Sequence, residues 1–279
     1  MKIFDFQLYH KFMCNVNSLP SIFFGREEYI ISGCFSVIFV LRKKYILAAF
    51  IAVGAAVMLL SSIDKGAVPI FSHSNRKIIV LDAGHGDPDG GAVGAGGSVE
   101  SELNLAVAKK LKKRLEKLEF TVIMTREDEY GIHSDGQHKS IQEKKREDMH
   151  KRLDIANNSD ADIFMSIHMN MFRDGKYRGA EVLYSEKFEN AVLLAELIQA
   201  KLIDIDPEKQ TRTAKKADNS IFLMKNAEVP AVLVECGFLS NPEEEALLKT
   251  PEYQDKIVKA IADGITEYYR SIEGRKDIL

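Results

Sequence analysis

An α/β fold, with one catalytic domain built on a mainly parallel twisted sheet flanked by helices, is what this 279-residue sequence predicts. Three observations predict it. The apolar runs "KIIVLD", "DIFMSIH" and "AVLVEC" have strand length and lack the alternation of a half-exposed strand, as strands covered on both faces do. Other segments space their apolar residues at helical intervals. The two kinds of segment alternate along the chain, which winds a parallel sheet between helical layers.

In order, the first strand covers Lys77–Asp82. A loop with seven glycines from Gly84 to Gly97 follows, and Leu103, Val107, Leu111, Leu115 and Leu118 then form the apolar face of a lysine-rich helix. Phe120–Thr125 reads as a strand. Arg126–Glu147 is polar and charged, and is expected to be an insertion leading into a helix that ends near Asn157. Asp162–His168 and Ala180–Ser185 are strands, Phe188–Ile205 is a helix, and Ala231–Cys236 is the last buried strand. Asn241-Pro242-Glu243-Glu244 starts a helix with an N-cap, a first-turn proline and acids facing the helix dipole. Thr250-Pro251-Glu252 opens the final helix in the same way, with Tyr253, Ile257, Ile261, Ile265 and Tyr268 on its apolar face. There is no internal repeat.

The N-terminal part differs. Arg42, Lys43 and Lys44 precede an apolar run from Tyr45 to Leu60, extended by Ser61 and Ser62. About 18 such residues just span a hydrocarbon core. The flanking cations predict a cytoplasmic N-terminus and an exported C-terminal domain. Residues 42–62 are therefore read as a signal anchor or signal peptide, and the lack of an A-x-A site after Leu60 favours the uncleaved anchor. Residues 1–41 form an extension without chemistry of its own; its apolar part, Tyr29–Leu41, is too short to span alone. One reading starts the native chain at Leu41, which intact-mass measurement would decide. Residues 63–76 are a linker, 77–273 the catalytic domain and 274–279 a tail.

The composition is that of a globular protein, with 46% hydrophobic and 28% charged residues and a net charge of −3. Near-neutral charge without a basic stripe excludes a nucleic-acid partner. Cys14 and Cys34 precede the apolar run and Cys236 stands alone after it, so the exported part has no internal disulfide.

Chemistry concentrates at strand ends. His85 follows the first strand, His168 ends "DIFMSIH" and Glu235 lies near the end of "AVLVEC". In open α/β sheets, sites form beyond the carboxyl ends of strands. The glycine loop lets Glu100, at the start of the first helix, return to the same rim. Two histidines and a carboxylate form a known catalytic zinc set, with a further carboxylate to take a proton from water. On that reading His85, Glu100 and His168 are ligands and Glu235 is the base. A lone strand-end histidine is more often a satisfied core histidine, and placement leaves this open for His168. Glu235 is harder to dismiss, because a carboxylate in an apolar strand needs a partner or a function. The glycine loop is no phosphate cradle: Gly84, Gly86 and Asp89 break G-x-G-x-x-G, and no G-K-[ST] follows. Cys236 alternates with Glu235 and so faces away from it. Ser98 has no G-x-S-x-G context, and His133, His138 and His150 read as surface residues.

The segments "VLDAGHG", "VESELNL", "RLDIANNSDADIFMSIHMN" and "VPAVLVECGFLSNPEE" occur in that order. They resemble the signature segments of the zinc-dependent N-acetylmuramoyl-L-alanine amidases of the Amidase_3 type, over about residues 77–270. "GHGDPDGGAVG" resembles more narrowly the germination-specific, spore-cortex branch of that family. The resemblance implies zinc on His85, Glu100 and His168, and Glu235 as acid/base. It also implies substrate-binding roles for Arg152 and Asn170, whose alternatives are a salt bridge and a strand-end cap. Asp87 stands where the family usually has a second glycine, and Met169 and Met171 replace small residues beside Asn170. The implied reaction hydrolyses the amide between N-acetylmuramic acid and L-alanine in peptidoglycan, a step towards muramic-δ-lactam in spore cortex. The implied setting is outside the membrane, in the forespore cortex space, with an activating exported protein as a partner. Two rivals are a related zinc peptidase cutting the stem peptide and a non-catalytic wall-bound activator.

Overall fold

The computed structural model of the protein describes residues 22–24, 28–31, 39–42, 76–134, 139–208 and 210–276. The chain divides into two compact units, Met1–Ile70 and Phe71–Leu279. In the first, β1 (Ile22–Phe24), β2 (Glu28–Ile31) and β3 (Phe39–Arg42) pair antiparallel in sequence order. The segment read as an anchor or signal peptide, 42–62, lies outside the described residues except for Arg42, as does the linker except for Arg76. Among the described residues no helix is long and apolar enough to cross a membrane.

The second unit contains β4 (Ile78–Ala83), α1 (Glu100–Lys117), β5 (Thr121–Met124), α2 (Ile141–Asn158), β6 (Ile163–Asn170), β7 (Glu181–Tyr184) and α3 (Glu189–Ile203). It continues with β8 (Lys215–Lys216), α4 (Phe222–Asn226), β9 (Ala231–Phe238), α5 (Pro242–Leu248) and α6 (Pro251–Lys276). The six strands are ordered β5-β4-β6-β9-β7-β8. β5, β4, β6 and β9 run parallel, so their carboxyl ends share one rim. The departure is β7, which pairs antiparallel with β9 and parallel with β8.

Both sheet faces are covered, which accounts for the continuous apolar strands. On one face Ile79, Leu81, Met165, Ile167, Val232 and Val234 pack under α1, α3 and α6. On the other, Val80, Phe164 and Leu233 meet α2 and α4 through Ala156, Leu223 and Met224. The expected face of α6 is buried throughout, from Tyr253 to Tyr268. α5 starts as read, with the Asn241 carboxamide oxygen accepting from the amides of Glu243 and Glu244.

The charged insertion is shorter than its composition suggests. α2 already begins at Ile141, where Ser140 and Glu143 form a reciprocal capping box. Its buried residues are Asp148, Arg152 and Ala156, with Met149, Leu153 and Ile155 partly buried beside them, so charged residues interrupt its inward stripe. β9 extends two residues beyond Cys236, and α6 runs three residues into the segment read as a tail.

Candidate active site

β4 delivers His85 past its carboxyl end with a φ of 60°, a left-handed conformation that costs a non-glycine residue about 1–2 kcal/mol. Surrounding bonds hold it there. Arg152 Nη2 donates to the His85 carbonyl at 2.6 Å and Nη1 to the Ala83 carbonyl at 2.7 Å. Arg126 donates to the carbonyls of Ala83 and Gly84 at 2.8 and 3.0 Å. A Cβ at Gly84 would collide with the His168 imidazole, so glycine is required for β4 and His168 to lie this close.

The glycine loop performs the return expected of it. Ala92 N donates to Glu100 Oε2 at 2.9 Å, and Gly91 turns at φ 72°, where a Cβ would lie 2.6 Å from that same oxygen. Glu100, buried at the first turn of α1, stands between the two histidines. Its Oε1 is 2.9 Å from His168 Nδ1 and 3.3 Å from His85 Nε2. One potential ligand atom from each of His85, Glu100 and His168 lies within 4.8 Å of the others, close enough for all three to hold one metal ion. The second nitrogen of His85, Nδ1, is 3.0 Å from Asp89 Oδ2. Such a carboxylate fixes the ring and leaves Nε2 facing the centre.

Burial opposes protonation of His85, but its hydrogen bonds to Asp89 and Glu100 prevail and raise it to about 9. Burial likewise works against the Glu100 carboxylate, yet the two histidines hold its pKa well below the usual range. Glu235 is opposite in character. β9 sets it in register with His168 on the neighbouring strand. Its Oε2 is shielded from solvent and has no hydrogen-bond partner among the described residues. Burial, opposed in part by His168, pushes its pKa up to about 7. A carboxyl poised near neutrality beside a triad able to hold a metal can both take and return a proton. His85, His168 and Glu235 line a cleft of about 480 Å³, which α2 and the segment Ser220–Leu223 also line.

The remaining sequence candidates fall elsewhere. Arg152 borders the cleft but is 1% exposed, and all five of its donors are engaged by Asp82, Asp148 and the carbonyls of Ala83 and His85. The salt-bridge alternative therefore describes its contacts, and none is left for a substrate. Asn170 ends β6, where its carbonyl accepts from Leu239 N; its side chain is half-buried and does not line the cleft. Cys236 packs in the core with its thiol pushed up by burial. His133 binds the Asp87 carbonyl, His150 sits exposed against the Phe222 ring, and His138 lies outside the described residues.

Sequence reasoning missed Asp89, Lys145 and Asp82. Asp82 is fully buried and accepts from Thr125, Ser166 and Arg152, the last of which holds its pKa low against the effect of burial. Its signal was available, since a carboxylate ending an apolar strand needs partners just as Glu235 does.

Comparison with known proteins identifies the family. The family model described as N-acetylmuramoyl-L-alanine amidase, Amidase_3, matches residues 79–267. The germination-specific N-acetylmuramoyl-L-alanine amidase of Bacillus subtilis (strain 168) is 41% identical over 193 residues, 69% of this chain and 80% of that protein. AmiA of Escherichia coli (strain K12), also an N-acetylmuramoyl-L-alanine amidase, is 28% identical over 243 residues, covering 72% of this chain and 79% of its own. Among solved structures, the CwlD amidase of Clostridioides difficile, in complex with the GerS lipoprotein, superposes with a TM-score of 0.68. It is 38% identical, over 70% of this chain and all of that one. With a family model spanning more than half of its length and a relative of this identity, the chain belongs to the N-acetylmuramoyl-L-alanine amidases of the Amidase_3 family and is a peptidoglycan-cleaving enzyme.

Proposed function

We propose that this amidase is zinc-dependent and acts on spore-cortex peptidoglycan, cutting the bond between the lactyl group of N-acetylmuramic acid and L-alanine. The observation that carries the zinc reading is the His85–Glu100–His168 triad, whose donor atoms lie within 4.8 Å of one another beside an unpartnered carboxyl oxygen. Two imidazoles and one carboxylate suit zinc and leave a fourth position for water or substrate. Bound there, zinc would polarise the scissile carbonyl and acidify water.

The chain's own residues supply the rest. Asp89 fixes the His85 ring, and Glu100 is held in place by the amides of Ala92 and Met169. Glu235 takes a proton from the attacking water at Oε2. It then returns that proton to the departing alanine nitrogen, so the products are a muramic carboxyl group and a free L-alanine N-terminus. The apolar surroundings that raise Glu235 to about 7 make both transfers feasible near neutral pH.

The spore-cortex assignment rests on the germination-specific relative. In cortex, removal of the peptide would precede muramic-δ-lactam formation. The C. difficile structure is of a complex with a lipoprotein, and we assign this chain a similar exported partner, with residues 42–62 holding it at the membrane. Co-purification from sporulating cells that recovers the amidase alone would oppose that partner. For the reaction, full-length protein loaded with zinc is incubated with purified cortex peptidoglycan, and new L-alanine N-termini are counted. Release is expected from the wild type, and a loss of about 10²–10⁴-fold from Glu235→Gln that still binds zinc. Equal release by both would remove Glu235 from the reaction, and cuts within the stem peptide would indicate a peptidase.

A further inference from the structure

We propose that Lys145 binds the first free carboxylate of the stem peptide and so makes the enzyme selective for stems that carry it; this rests on the amidase reading of the same cleft. Besides the histidines, two basic side chains line the cleft, Lys145 and Arg152. Arg152 has no donor to spare, because all five go to Asp82, Asp148 and two main-chain carbonyls. Lys145 is different. Its side chain is 52% exposed, and Asp89 Oδ2 at 2.8 Å is its one ion-pair partner among the described residues. An ammonium carries three N–H donors, so two remain for a ligand.

The carboxylates on the same wall do not compete for those donors. Asp82 is held by Arg152, Thr125 and Ser166, and Asp148 by Arg152 and the amide of Ile132. The opposite wall, formed by Ile221, Phe222 and Leu223, offers no charge. Beyond the proposed metal, Lys145 is the cation of the cleft with donors to spare, so an anionic group entering there can pair with it.

Lys145 stands close to the proposed metal site, so the anion it meets is one near the cut. Asp89 Oδ2 contacts both Lys145 Nζ and His85 Nδ1, at 2.8 and 3.0 Å, so the ammonium stands one carboxylate oxygen away from a proposed ligand. On the peptide side of the scissile amide, L-alanine is followed by D-glutamate joined through its γ-carboxyl. That linkage leaves an α-carboxyl on the residue after L-alanine, the nearest free carboxylate to the cut. Amidation of this group removes the charge that a lysine recognises.

The test uses full-length zinc-loaded protein and two soluble N-acetylmuramoyl tripeptides that differ only in whether the D-glutamyl α-carboxyl is free or amidated. The wild type is expected to favour the free carboxylate about tenfold in kcat/KM, mainly through KM, as one partly solvated charge-assisted hydrogen bond would give. In Lys145→Met the ratio of the two substrates falls to about one, and in Lys145→Arg most of the preference returns. Damage to the metal site through Asp89 would lower both substrates together and leave the ratio alone. Kd values for the two free tripeptides read the same preference without turnover. Equal treatment of both ligands by the wild type, or an unchanged ratio in Lys145→Met, would overturn the proposal. Failure to cleave either substrate while still preferring the acidic tripeptide would count against the catalytic reading alone.

Discussion

Hydrogen bonds to Asp89 and Glu100 lift the His85 imidazole to about 9 in the metal-free protein, although burial works against its charge. On the proposed reading, a metal must displace that proton. Apparent zinc affinity, measured by chelator competition, should then rise about tenfold per unit between about pH 7 and 8.5 and flatten above about 9. The metal-free fold should respond in the opposite sense. Because the folded pKa of His85 is raised, its contribution to stability is complete below the unfolded value of about 6.5 and is lost as pH rises through about 9. Thermal melts in chelator should fall across that interval. Arg152 gives a second prediction at this scale. Arg152→Met would leave Asp82 and Asp148 buried without their counter-charge, and should cost about 3–5 kcal/mol by denaturant unfolding. Lysine cannot reproduce the five-donor fork, so Arg152→Lys should retain the fold with weaker zinc binding. Side chains of this kind were only partly legible in the sequence. His85, His168 and Glu235 stand out because each ends or interrupts an apolar strand. Asp89 and Lys145 lie in polar stretches, and their importance comes from a distance that only folding creates.

At the scale of elements, the first turn of α5 ties two loops to the sheet. Buried Glu245 accepts from Gly96 N at 2.7 Å and Ser98 N at 3.0 Å, fixing the glycine loop that returns to Glu100. Its neighbour Glu244 accepts from Gly179 N at 2.7 Å and Phe238 N at 2.8 Å, fixing the end of β9 beyond Glu235. Glu245→Ala should cost about 1–3 kcal/mol for each amide left unpartnered. Because Glu100 depends on that loop, zinc affinity should also fall, by about 10–100-fold, as losses behind a ligand generally do. Unchanged zinc affinity in a folded Glu245→Ala protein would separate the loop from the metal site. The start of α5 was legible, since Asn241, Pro242 and the acids are local signals. The clamp was not, because the amides it accepts from lie about 150 residues away in sequence, and the same acids serve equally well as simple dipole partners. The start of α2 was obscured for a related reason: buried Asp148 and Arg152 interrupt the apolar stripe of Met149, Leu153 and Ala156.

For the whole molecule, the parallel order of β5, β4, β6 and β9 is what turns scattered residues into a site. Parallel strands have their carboxyl ends on one rim, so residues as distant as His85 and Glu235 converge without a local motif. That much followed from strands buried on both faces and alternating with helices. The reversal at β7 did not, because its sequence satisfies a parallel or an antiparallel neighbour equally well. The division at Ile70 and Phe71 leads to the last prediction. Among the described residues, the buried core, the triad, Glu235 and Lys145 belong to the unit Phe71–Leu279, in which both sheet faces are already covered. A chain starting at Phe71 should therefore unfold at the same denaturant midpoint as the full-length protein and cleave soluble muramyl peptides at the same rate. What it should lose is sedimentation with membranes, the function proposed for residues 42–62. If the shortened chain lost stability or zinc binding, the N-terminal unit would have to contribute to the fold of the catalytic one. If it still sedimented with membranes, the anchor would have to be sought within the amidase itself.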